Sequence, residues 1–230
     1  MATRTSRRNS SSQGQRLAVL LRRERTLWAE GFLRIAGVDE VGVGPLAGPV
    51  VAAAVVFPPD VGLKGVDDSK KLAPERRREL ALAIRARAAA WAVARVEREE
   101  IDRVNIYQAS LLAMLRAVLA LDPQPDYVLV DARRIPGLKI PQEPIVKGDA
   151  RCHAIAAASI LAKTERDGLM EELESQFPGY GFAAHKGYPT DAHREAIRRL
   201  GPCELHRRSF SLYAQADLWQ WAPEALVSES

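Results

Sequence analysis

The sequence predicts an α/β domain built on a mixed central sheet flanked by helices. Short apolar segments of strand length come early, at residues 33–40, 49–57 and 92–97, and helical and strand-like segments alternate from there on. Early hairpin-like strands followed by helix–strand–helix alternation are the pattern of a mixed sheet. Apolar residues make up 47% of the 230, enough for one sizeable core. Acids also sit where apolar strands end, and open α/β sheets place their chemistry at the carboxyl ends of strands.

Residues 1–14 are polar, Ser-rich and cationic, which predicts a disordered basic tail. Leu17, Leu20, Leu21, Leu27 and Trp28 recur at helical spacing and Gly31 offers a cap, so 15–33 reads as an N-terminal helix packed on the main domain. The main domain is expected over 34–213, and a C-terminal tail over 214–230. LRIAGVDE (33–40) and PVVAAAVVF (49–57) are strands joined by the Gly/Pro turn VGVGPLAG, which favours an antiparallel pair. Pro74 opens a helix that continues through ERRRELALAIRARAAAW (75–91). AVARVE (92–97) is a strand, and 99–121 reads as one long helix ending before Pro123. DYVLVDA (126–132) is a short apolar strand that ends at Asp131, and IPQEPIVKGDA (140–150) holds another with Asp149 at its exit. Residues 153–177 form a second long helix, whose Ala/Ser-rich half demands close packing. A Gly/Tyr loop (178–189) and a short helix (191–201) follow. Right-handed crossovers would bring the later strands beside the first.

The net charge of +4 is unevenly spread. Residues 1–34 carry eight Arg and two Glu, so the remaining 196 residues sum to −2. The globular part is not a basic DNA-binding block. If it binds nucleic acid, cations at its acids and local Lys/Arg clusters supply the attraction. Cys152 and Cys203 lack CxxC partners, which argues against a disulfide scaffold and a zinc site. The four histidines show neither HExxH nor HxxxH spacing and read as surface or hydrogen-bonding residues. No GxxxxGK[ST] occurs, which excludes a P-loop. There is neither an uncharged apolar run long enough for a membrane span nor a secretory signal, and a cytoplasmic protein is the simplest expectation.

Asp39, Asp131 and Asp149 follow apolar strands, and Glu40 follows Asp39 directly. If the first and fourth strands are neighbours, these four carboxylates converge. Repulsion and burial would hold protons on some of them unless cations intervene. Mg²⁺ or Mn²⁺ resolves the conflict, because hard cations prefer carboxylate oxygen. Two such ions roughly 4 Å apart can activate water and stabilise the leaving oxygen of a phosphodiester. Taken singly, each acid is equally ordinary turn chemistry, and spacing alone leaves both readings open.

The motifs GVDEVGVGPLAGPVV, DDSKKL, VLVDARRIP, VKGD, AAASILAKTERD, HKGYPT and LHRRSF, in this order from about Ile35 to Phe210, resemble bacterial ribonuclease HII, a type 2 ribonuclease H. The resemblance implies a ribonuclease H-like fold with a helical C-terminal part. It implies hydrolysis of RNA in RNA/DNA hybrids and of duplex DNA on the 5′ side of a single embedded ribonucleotide, leaving 3′-OH and 5′-phosphate ends. It carries the catalytic and metal-binding roles onto Asp39, Glu40, Asp131 and Asp149, with two Mn²⁺ or Mg²⁺ ions, and it suggests a monomer. Substrate contacts carry over to Gly42, Val43 and Gly44, facing the ribose 2′-OH, to Tyr188, stacking on the following sugar, and to Lys70, Lys71 and Lys163 near the phosphates. Asp167, four residues after Lys163, reads as a structural partner and not as a fifth ligand.

Two positions depart from the family's pattern. Val43 stands where Arg is usual between two glycines, so a guanidinium able to clamp a phosphate is missing. Ala132 stands where glycine often follows the third acid. Val43 motivates two rival readings: a catalytically weakened hybrid-binding module, and a related nuclease with relaxed junction specificity.

Overall fold

The computed structural model describes residues 13–67 and 69–212. The tail expected at 214–230, and all of the N-terminal tail except residues 13 and 14, lie outside the described residues.

Residues 13–20 are already helical, so the N-terminal helix begins before residue 15. It passes a turn at Leu21 and resumes as α1 (Arg22–Ala29). Gly31 ends it with φ 99°. The N–H groups of Gly31 and Phe32 return to the carbonyls of Trp28 and Leu27, a cap that glycine's missing Cβ permits.

The sheet contains β1 (Ile35–Val41), β2 (Val50–Val56), β3 (Ala90–Val96), β4 (Tyr127–Asp131) and β5 (Gln142–Ile145) in the order β3-β2-β1-β4-β5. The pairs β1–β2 and β2–β3 are antiparallel, and β1–β4 and β4–β5 are parallel. This is the expected mixed sheet. The helices are α2 (Pro74–Arg87), α3 (Arg98–Val104), α4 (Ile106–Leu119), α5 (His153–Gln176), α6 (Phe182–His185) and α7 (Asp191–Leu200).

The pleat sorts side chains between two layers. Ala36, Val38, Val50 and Ala52 pack on Ala113, Met114 and Ala117 of α4. Val51, Ala53 and Val55 pack on Leu80 and Ile84 of α2 and on Ala157 and Leu161 of α5. β2 is covered on both faces, which is why its apolar run is unbroken. A Cβ at Gly37 would collide with the backbone of Ala154 and Ile155, so the alanine-rich half of α5 lies directly against β1. Leu27 of α1 joins Ile35, Leu129 and Ile155 in a third cluster. Glu24 Oε1 accepts from the Ala154 N–H at 3.0 Å and caps α5, whose own N-cap residue Cys152 supplies no side-chain bond.

Local structure departs from the sequence reading at several places. The helix expected over 99–121 is broken at Asn105 (φ 68°), whose side chain caps α4 by accepting from Gln108 N–H. Asparagine tolerates positive φ and favours caps over helix interiors. The helix expected to reach residue 91 stops at Arg87, because Ala90 and Trp91 pair with Val56 and Val55 in the sheet. The 178–189 loop contains the single helical turn α6. Among the described residues no helix is long and apolar enough to cross a membrane.

Candidate active site

β1 and β4 run side by side with Val38 opposite Val130. One step further along both strands, Asp39 and Asp131 fall next to each other on the face covered by α5. Glu40, by alternation, points to the other face. β5 stops at Ile145, and Asp149 is carried four residues beyond it by a 3-10 turn, Gly148–Ala150. Asp149 is thus placed by a turn and not by a strand end. That turn is pinned to Asp131, whose Oδ1 accepts from the Gly148 N–H at 2.7 Å. A Cβ at residue 148 would run into Ile155. The same turn is braced from the N-terminal helix: Arg16 donates to Ala150 O at 3.0 Å and pairs with Asp67 at 2.7 Å.

Asp39, Glu40, Asp131, Asp149, Lys70, Lys163 and Tyr188 line one cleft of about 330 Å³, with Ser69 and Ser159 at its base. Lys71 is exposed outside that lining. Gly42, Val43 and Gly44 are outside that lining too, but follow Val41, which is part of it; a Cβ on Gly44 would lie 3.7 Å from the Tyr188 ring. Lys163 Nζ is 2.7 Å from Asp167, which is also bound by Arg77 at 2.8 Å. Asp167 is therefore engaged away from the acids, as its spacing suggested.

The acids destabilise one another's charge. Burial, then the charges of Glu40 and Asp131, push the Asp39 carboxyl well above its ordinary range, against hydrogen bonding from Ser159. Burial and Asp131 raise Glu40, with Arg133 opposing. Burial raises Asp131, the Gly148 N–H opposes it, and Asp149 adds to it. Burial lowers Lys163, and Asp167 counters that. An all-oxygen donor set with surplus negative charge suits a hard divalent cation. Among the described residues no three His, Cys, Asp or Glu side chains are already gathered closely enough to enclose one. Asp39, Glu40, Asp131 and Asp149 are the residues of this cleft that could hold one.

Two buried arginines, missed in the sequence, build the turn. Arg207 donates to Gly48 O at 3.0 and 2.8 Å, to Gly42 O at 2.6 Å and to Val43 O at 3.1 Å. Arg166 donates to Pro49 O at 3.0 Å, Ala47 O at 3.1 Å and Lys186 O at 2.9 Å. Both are 0% exposed, and burial lowers them to about 9 and about 10, so both stay charged at neutral pH. A signal was present. A buried Gly/Pro turn leaves carbonyls that no sheet can satisfy, so donors must come from elsewhere.

The comparisons agree with this geometry. A family model described as Ribonuclease HII matches residues 36–213. The chain belongs to the ribonuclease HII family. It is 57% identical over 210 residues to the Ribonuclease HII of Anaeromyxobacter sp. (strain Fw109-5), covering 91% of this chain and 67% of that one. It is 56% identical over 203 residues to the Ribonuclease HII of Moorella thermoacetica, covering 88% and 98%. The crystal structure of ribonuclease H2 from Pyrococcus horikoshii OT3 superimposes with a TM-score of 0.66 at 27% identity, covering 78% of this chain and 95% of that one. The protein is thus a hydrolase of ribonuclease H type with the ribonuclease H fold, as the motifs implied.

Proposed function

We propose that this ribonuclease HII cuts the RNA strand of RNA/DNA hybrids and cuts duplex DNA on the 5′ side of a single embedded ribonucleotide, leaving 3′-hydroxyl and 5′-phosphate ends. The supporting observation is the strand register that sets Asp39 beside Asp131, with Glu40 and Asp149 in the same cleft. Asp39, Glu40, Asp131 and Asp149 would hold two Mg²⁺ or Mn²⁺ ions, which supply an activated water and stabilisation of the leaving oxygen. Lys70 and Lys163 line the same cleft and attract the scissile phosphate to it. The carbonyls of Gly42 and Val43 are taken by Arg207, so the turn meets the ribose 2′-OH through its N–H groups. That hydroxyl is what separates RNA from DNA at one position. Tyr188, against Gly44, offers its ring to the next sugar. All four acids of the cleft come from one chain, which supports a monomer; we place the activity in the cytoplasm.

The test is cleavage of labelled duplex DNA carrying one ribonucleotide, with Mn²⁺ and then Mg²⁺, beside an RNA/DNA hybrid. A single cut 5′ of the ribonucleotide is expected. Asp131→Asn keeps the acceptor for the Gly148 N–H and should fold normally with cleavage lost; full activity in that variant would sink the assignment. A cut hybrid with an intact single-ribonucleotide duplex would favour the relaxed-specificity reading that Val43 motivates. Tight hybrid binding without metal-dependent turnover would favour a binding module.

A further inference from the structure

Behind the cleft, histidine rings gather where α6, α7 and residues 203–207 meet. His185 and His193 stack with centroids 4.2 Å apart, and Phe182 presents an edge to His193 at 5.5 Å. His193 and His206 are buried, and their Nε2 atoms are 3.1 Å apart. One end of this line fixes its protons. His193 Nδ1 lies 2.9 Å from the Tyr188 carbonyl, which can only accept, so Nδ1 carries a hydrogen and the neutral ring is bare at Nε2. His206 Nε2–H then donates to His193 Nε2, which leaves the neutral His206 ring bare at Nδ1, 3.0 Å from the Cys203 N–H, with Cys203 Sγ and O at 3.2 and 3.3 Å. A proton added to His193 would place two hydrogens in one contact. Burial acts in the same direction, holding His193 down at about 4 and His206 below its ordinary value.

The other side of this segment is bound to the glycine turn. His206 forms an isolated antiparallel bridge with Ala47. Arg207 N–H donates to Leu46 O at 2.8 Å, and Gly48 N–H donates to Leu205 O at 3.0 Å. Residues 205–207 therefore hold the turn through Arg207 and the backbone, and hold the Tyr188 carbonyl through His206 and His193.

We propose that His206 and His193 are positioning residues that tie Tyr188 to the glycine turn, so that the element facing the ribose and the element facing the following sugar read a ribonucleotide junction as one unit. The proposal rests on the substrate roles given above to Tyr188 and the turn.

The test compares kcat/KM on a single-ribonucleotide duplex and on an RNA/DNA hybrid for the wild type, His206→Phe, His206→Gln and Tyr188→Ala. Phenylalanine keeps a ring and removes both nitrogens; glutamine returns an amide N–H near the place of Nε2. His206→Phe should lose about tenfold more on the single-ribonucleotide duplex than on the hybrid, the scale of one buried hydrogen bond, and His206→Gln should recover most of it. Equal losses on both substrates would reduce the histidines to general support and overturn the proposal. Tyr188→Ala separates the two layers. If it leaves the substrate ratio unchanged, the assignment of Tyr188 fails. If it shifts the ratio and His206→Phe does not, the histidine link fails. Should His206→Phe not fold, imidazole ¹⁵N spectra of the wild type decide: hydrogens on His193 Nδ1 and His206 Nε2 are expected, and the opposite tautomers, or titration at the ordinary value of 6.5, would overturn the link.

Discussion

Replacing Arg207 by lysine isolates what the guanidinium fork does, because the charge stays and the geometry goes. Three nitrogens of Arg207 now serve three carbonyls, those of Gly42, Val43 and Gly48. A single ammonium nitrogen cannot reach all three. Val43 is half-buried and its carbonyl can turn to water, but Gly42 and Gly48 are buried, so at least one buried carbonyl loses its donor. That omission costs about 1–3 kcal/mol. An ammonium is also more strongly hydrated than a guanidinium and is harder to bury, which brings the total to about 2–4 kcal/mol. For a chain of this size the thermal midpoint should fall by about 5–15 °C, leaving a folded protein at 25 °C. The turn, released on its inner side, should shift by a fraction of an ångström to an ångström, and misplacement on that scale costs up to about a hundredfold in rate. The assay is calorimetric melting together with kcat/KM on the single-ribonucleotide duplex, measured well below the midpoint. A lysine variant with wild-type melting and wild-type kcat/KM would refute the idea that the fork holds the turn.

Other consequences are as concrete. Ala132 sits at φ 57°, a left-handed conformation that costs a residue with a Cβ about 1–2 kcal/mol; after allowance for glycine's larger unfolded-state entropy, Ala132→Gly should stabilise the protein by about 0.5–1 kcal/mol in urea unfolding. Burial raises Glu24 from an ordinary 4.5 to about 7, so the folded state keeps a proton that the unfolded state has released. Its share of stability is therefore full below about pH 4.5 and is lost as pH rises through about 7, a change on the order of 3 kcal/mol. Glu24→Gln, which keeps the acceptor for Ala154 N–H, should match the wild type in unfolding free energy near pH 5 and exceed it at pH 8. Val43→Arg should raise kcat/KM by about tenfold to a hundredfold, the worth of one charged hydrogen bond to phosphate, in steady-state cleavage of the single-ribonucleotide duplex.

What was legible in the sequence followed from periodicity and from strand ends. The apolar run of 49–57 announced a strand, and the acids at 39 and 131 announced a shared edge once β1 and β4 were neighbours. Asp149 lines the same cleft as the other acids for a different reason, since a 3-10 turn carries it there after β5 has ended. Asn105 was not legible as a break, because the stretches before and after it both read as helical and the interruption rests on one positive φ. Arg166 and Arg207 were invisible as interior residues. A long charged side chain reads as surface, and only the count of unsatisfied turn carbonyls would have moved it inside. The tautomers of His193 and His206 were equally out of reach, since they depend on a carbonyl and an N–H that the fold brings to either end of the pair.

The buried arginines also bear on Val43. A residue at this position could serve the turn in two ways, by shaping it or by reaching across it to a phosphate. The shape is set from inside, by six hydrogen bonds from Arg166 and Arg207 to carbonyls of residues 42–49, and by a left-handed Gly42 against which Arg166 leaves no room for a Cβ. None of these contacts involves the side chain at 43. Valine there therefore leaves the turn's conformation intact and removes only an outward cation. The loss then falls on phosphate attraction, which is general to any nucleic acid, and not on the backbone proposed to face the ribose. Val43 should accordingly lower the rate on hybrid and single-ribonucleotide duplex alike, while the preference between them stays with the turn and with Tyr188.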